Sequence, residues 1–122
     1  MRLIVPLLAA VLVFVGACSR GPDPGAILPR AKDAVLDYFD AAARGDCPAL
    51  IGLRNRPMTP AECEDYLHVF QGTRTRLLAI EEVKVDGRDR SAVLVKTKLE
   101  FGDKERSWLL RVECPDACKV AF

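Results

Sequence analysis

The chain has a single His, and no set of His, Cys, Asp or Glu falls at the spacing that a zinc site needs, so a metal centre is not implied. It has no CxxC redox pair, no Gly-rich phosphate loop and no Ser in a nucleophile-elbow context. These absences leave no catalytic set and no cofactor to expect. Excess positive charge is also missing: 18 Lys and Arg stand against 17 Asp and Glu. Nothing in that balance suggests nucleic acid as a partner, because it is held by a basic field over phosphates. The longest apolar run, Leu3 to Val15, is interrupted by Pro6. It falls short of the roughly 20 apolar residues that a membrane-spanning helix requires. The chain shows no internal repeat and no low-complexity segment.

That short run nevertheless carries the clearest functional signal. Arg2, the apolar stretch and the small residues Gly16 and Ala17 make up the n-region, h-region and cleavage site of a secretory signal. Val15-Gly16-Ala17-Cys18 resembles the lipobox of bacterial lipoproteins. The resemblance implies that residues 1–17 are removed as a signal peptide and that Cys18 becomes the acylated first residue of the mature chain. Two or three acyl chains on one residue give firm membrane attachment, whereas a single chain does not. Ser19, in place of Asp, resembles the pattern sorted to the outer membrane, which implies anchoring in the cell envelope facing the periplasm. The competing reading is an ordinary secretory signal with a Cys beside its cleavage site.

Beyond Cys18 the chain is long enough for one domain and too short for two. Residues 18–29, rich in Pro and Gly, read as the lipidated Cys and a flexible tether, with a single domain over 30–122. Four Cys remain, an even number suited to an oxidising compartment. They allow three pairings. Local arguments favour Cys47 with Cys63 and Cys114 with Cys118.

From Arg30 to Arg44, Ala31, Val35, Tyr38, Phe39 and Ala42 recur at helical steps, with Asp33, Asp37 and Asp40 opposite. Gly45 stops this helix, and Asp46 caps a short second one through Leu53. Thr59-Pro60-Ala61-Glu62 is a capping box for a third, which places Cys63, Tyr66, Leu67 and Phe70 on one face and ends at Gly72. A Cys47 to Cys63 bond would fasten the second and third segments. The period then changes to two. Val83 and Val85 lead into the Asp86-Gly87 turn, Val93 to Phe101 alternate, Gly102-Asp103 turns the chain, and Trp108, Leu110 and Val112 share a face. A Pro-Asp-Ala turn sets Cys114 opposite Cys118 across a final hairpin that ends in Val120 and Phe122.

The layout is α+β, with N-terminal helices packed on a curved antiparallel sheet of about four strands. Ala34-Val35-x-x-Tyr38-Phe39-x-Ala41, Gly45-Asp46, Val83-x-Val85-x-Gly87, Ala92-x-Leu94 and the Trp108 strand resemble the nuclear transport factor 2-like superfamily of cystatin-like folds. The α+β layout itself wraps the sheet around the helices and is expected to bury Trp108, Leu110 and Val95 against Val35, Phe39, Leu67 and Phe70. The resemblance implies a pocket near Tyr38, Tyr66 and Trp108. Enzymes of that superfamily place Asp, His or Tyr inside the pocket. Here Asp37 and Asp40 fall on a polar helix face, and His68 lies beside Glu64 and Asp65, where a surface ion pair is expected. Arg54 with Arg56, and Arg74 with Arg76, read as solvated loop cations. The favoured function is a non-enzymatic, membrane-anchored envelope lipoprotein that binds a small apolar ligand or an envelope protein. The alternative is a small pocket enzyme of the isomerase or dehydratase type.

Overall fold

The computed structural model describes residues 24–122; residues 1–17, expected to form a signal peptide, Cys18, and the first part of the expected tether lie outside the described residues. Three helices, α1 (Pro24–Arg44), α2 (Cys47–Leu53) and α3 (Pro60–Gly72), precede four strands, β1 (Thr75–Asp86), β2 (Asp89–Phe101), β3 (Lys104–Glu113) and β4 (Lys119–Ala121). The sheet is an antiparallel meander in the order β1-β2-β3-β4.

Helix α1 begins six residues before the expected boundary, so Pro24 to Pro29 is not tether. Ile27 is fully buried and stands one turn before Ala31, which precedes Val35 by another. The apolar stripe thus starts earlier than the Pro and Gly content suggests. Burying an Ile contributes roughly 2 kcal/mol, while Pro29, the sixth residue of the helix, forgoes one bond of the backbone ladder. At the other end Gly45, at φ +69°, closes the helix. Its N–H bonds the Ala42 carbonyl while that of Asp46 bonds Ala41, the paired bonds of a Schellman stop. Asp46 then accepts from the Ala49 N–H at 3.1 Å and Thr59 from that of Glu62 at 3.2 Å, so both expected caps are in place.

Strand β1 is longer than the Val83 to Asp86 segment that alternation marks. Register shifts after Leu77 and Ile80 insert extra residues. The positions facing the helices opposite Phe101, Leu99, Thr97, Val95 and Val93 are consequently Thr75, Leu77, Ile80, Val83 and Val85. Such bulges bend a strand and increase its twist, and the period-two signal is lost where they occur. The core lies between α1 and the concave face of the sheet, where Val35 and Tyr38 meet Val93, Val95, Leu110, Val112 and Val120.

Cys47 is bonded to Cys63 and Cys114 to Cys118, with Cα separations of 5.9 and 4.0 Å. Both bonds fit an oxidising, exported environment. The Cys114 N–H bonds the Ser91 carbonyl, and the Arg30 guanidinium bonds the Asp116 carbonyl. The start of α1, the β1-β2 turn and the β3-β4 hairpin therefore share one pole. The Gly102-Asp103 turn and the end of α3 lie toward the other. No helix among the described residues is long and apolar enough to cross a membrane.

Candidate functional site

All seven described aromatic residues form one connected set of ring contacts. Phe122 is its hub, with ring centroids 5.7 Å from Tyr38, 6.4 Å from Phe39, 6.4 Å from Tyr66 and 6.3 Å from Trp108. Phe70 joins through Phe39 and Tyr66, and Phe101 through Trp108. Tyr38 is fully buried, and its hydroxyl donates to that of Tyr66 at 2.8 Å. The structure thus brings together the three residues expected around a pocket, but in different roles.

Trp108 departs from expectation. Its register opposite Thr97 puts it on the concave face, yet it is 46% exposed. The sequence period correctly assigns the face. Depth is another matter, because Trp108 stands near the open pole while Leu110 and Val112, further along β3, are covered. Beneath it the buried Thr97 hydroxyl donates to the Trp108 carbonyl at 2.7 Å, which ties β2 to β3 there.

Arg54 is likewise not a solvated loop cation. Residue 54 bridges Val120, and the Asn55 N–H bonds the Val120 carbonyl at 3.1 Å. Its guanidinium lies 5.6 Å from the Tyr66 ring centroid and donates to the Phe122 carbonyl at 3.2 Å, a cation over a ring face. Arg76 pairs with Glu100 at 3.2 Å. His68 is exposed and makes no ion pair with Glu64 or Asp65. Asp37 and Asp40 are exposed, and Asp40 pairs with Arg44 at 2.9 Å.

Between α3 and the strand ends, Tyr66, Val69, Phe70, Phe101 and Phe122 line a cavity of about 220 Å³. Its polar wall is formed by Thr73 and Thr75, whose hydroxyls lie 2.7 Å apart. A second hollow of about 230 Å³, lined by Phe101, Lys104, Arg106 and Trp108, adjoins it through the shared Phe101. The pair, with Phe101 in both walls, is termed the aromatic trough.

Burial, and then the hydrogen bond to Tyr66, push the Tyr38 hydroxyl well above the ordinary tyrosine range; burial also raises Tyr66. For an acid with a raised folded-state pKa the neutral form is favoured by folding. This stabilisation is complete below about pH 10 and is lost as pH rises above it. Because the chain has only two Tyr, near-ultraviolet absorbance reports both. Tyrosinate is expected to appear above the pH at which free tyrosine ionises, in step with loss of structure. Ionisation of both groups near pH 10 in folded protein would contradict the buried pair.

At the opposite pole Arg111 pairs with Asp86, with Asp89 at 3.1 Å and with Glu113 at 3.5 Å. The Arg88 N–H, together with the charges of Arg88 and Arg111, holds the Asp86 carboxyl below the usual carboxylate range. The network fastens the β1-β2 turn to β3. It gave no sign in sequence, since its members are 22 and 25 residues apart. Among the described residues no group of three His, Cys, Asp or Glu could hold a metal ion.

No protein-family model matches the chain, and no curated protein matches it. Among solved structures it is similar to a nuclear transport factor 2-like protein of unknown function from Cytophaga hutchinsonii. That likeness has 14% identity and a TM-score of 0.50, and covers 75% of this chain and 83% of the other. With three helices packed on an open four-stranded antiparallel sheet, the domain has the nuclear transport factor 2-like α+β fold.

Proposed function

We propose that the protein is an exported lipoprotein, held by acyl chains on Cys18 at the outer membrane and facing the periplasm, whose domain is a non-enzymatic module binding a small apolar ligand in the aromatic trough. The observation that carries the binding reading is the lining of the trough, where Tyr66, Val69, Phe70, Phe101 and Phe122 offer an apolar wall. Pockets for drug-sized ligands start at about 300 Å³, so a cavity of about 220 Å³ suits a single ring, a short acyl chain or one side chain of a partner. Against the pocket-enzyme alternative stands the surrounding chemistry. The tyrosine hydroxyls are bonded to each other, and the charged group beside them is the Arg54 guanidinium, which cannot act as a base.

The address is tested by Cys18→Ala. Labelled palmitate is expected to enter the wild-type chain and not the variant, which should leave the membrane fraction. Equal labelling and partitioning of both would refute anchoring at Cys18. The binding reading is tested through Trp108, the single Trp, whose ring packs on Phe122 and Phe101. Octanol is expected to shift its fluorescence saturably, and absence of saturation would defeat the reading.

A further inference from the structure

Along β3 the residues on the concave face are Lys104, Arg106, Trp108, Leu110 and Val112, opposite Phe101, Leu99, Thr97, Val95 and Val93. The first two positions, which alternation would fill with apolar side chains, hold cations. Both are exposed and line the outer hollow beside Phe101 and Trp108. Among the described residues neither makes an ion pair. Of the neighbouring carboxylates, Glu100 and Glu105 belong to the convex face by register and are already paired, with Arg76 at 3.2 Å and Lys98 at 3.0 Å, while Asp103, exposed in the turn before Lys104, makes no ion pair with either cation. One face of one strand thus passes from positive charge through an indole to a closed core.

We infer that the trough binds a monomeric anionic amphiphile, with its short acyl chain or ring against Phe101, Phe122 and Tyr66 and its anionic group at Lys104 and Arg106. This rests on the reading of the trough as a ligand site. It adds the sign of the ligand's charge and the residues that read it. Charge complementarity is the argument: two unpaired cations at the mouth of an apolar cavity favour an anion and disfavour a cation of the same shape. A planar Arg fork and a Lys ammonium are both suited to a carboxylate or phosphate group.

The test uses the mature chain, residues 18–122, carrying Cys18→Ser, which has neither the lipid nor the apolar run of residues 3–15, with Trp108 fluorescence as the readout. Octanoate, octanol and octyltrimethylammonium are titrated in parallel. Octanoate is expected to bind most tightly and the cationic analogue least. The double variant Lys104→Gln, Arg106→Gln should bind octanoate about tenfold more weakly while keeping its affinity for octanol. Charge reversal, Lys104→Glu with Arg106→Glu, should turn the preference toward octyltrimethylammonium, a gain that misfolding cannot imitate. Equal affinity for the three probes, or an octanoate affinity unchanged in both variants, would overturn the inference while leaving apolar binding intact. Failure of all three probes to saturate would remove the apolar reading as well. A response to phosphatidylglycerol vesicles without one to octanoate monomers would make the trough a membrane contact and overturn the assignment.

Discussion

Tyr38→Ala is expected to lower the unfolding free energy by about 4 kcal/mol, the range measured for truncating fully buried aromatic residues. Tyr38 has no exposed surface, and its ring touches both Phe39 and Phe122. The variant therefore opens a void between α1 and the hub of the aromatic set. It also leaves the Tyr66 hydroxyl without its partner at 2.8 Å. Tyr38→Phe separates the two effects, since it keeps the ring and removes the hydroxyl; its expected loss is about 1 kcal/mol. Urea denaturation followed by Trp108 fluorescence measures both, because Trp108 packs on Phe122. A loss for Tyr38→Ala no greater than that for Tyr38→Phe would show that the ring does not hold the core.

The second large effect concerns the disulfides, whose contributions should rank by loop length. Cys47 and Cys63 are 16 residues apart, Cys114 and Cys118 only 4. In the chain-entropy description the first bond contributes about 3 kcal/mol and the second about 2. Cys63 is also fully buried, so that bond fixes α2 and α3 to each other at the edge of the core. The double variant Cys47→Ala, Cys63→Ala is expected to melt roughly 12 to 24 °C below wild type. Cys114→Ala with Cys118→Ala should fall less. Calorimetry under non-reducing conditions decides the order, and a larger loss from the short hairpin bond would mean that native contacts rather than chain entropy dominate.

Features legible in the sequence are those whose cause lies within a few residues. Asp46 and Thr59 cap helices because each side-chain oxygen reaches an N–H three residues on. Gly45 stops α1 because it takes a positive φ without a Cβ clash. Strand β2 announces itself because Val93, Val95, Thr97 and Leu99 are all buried on one face. The two Cys pairs follow from the same local geometry. Where the local signal conflicts with distant packing, the reading fails. The early start of α1 was masked by Pro24, Gly25 and Pro29, although Ile27 already stood in step with Ala31 and Val35. The first half of β1 was hidden because its bulges destroy the period of two.

The candidate site was only half visible. Tyr38, Tyr66 and Trp108 do belong to one aromatic set, but the trough also depends on Phe101 and Phe122. These come from strand ends whose pairing with α3 no spacing encodes. The same is true of Arg54, which a bridge to Val120 draws out of its loop and over Tyr66.

The sequence by itself determined the α+β order of elements, their caps and turns and the cysteine pairs, and the resemblance of its first eighteen residues to a lipoprotein signal supports the proposed anchor. Each of these arises from short-range chemistry. Only the tertiary structure decided how deep each side chain lies. It buried Ile27 and Tyr38, left Trp108 half open, and placed Lys104 and Arg106 beside an apolar hollow. Alternation assigns a residue to a face of a strand, whereas the elements laid across that face decide whether water reaches it.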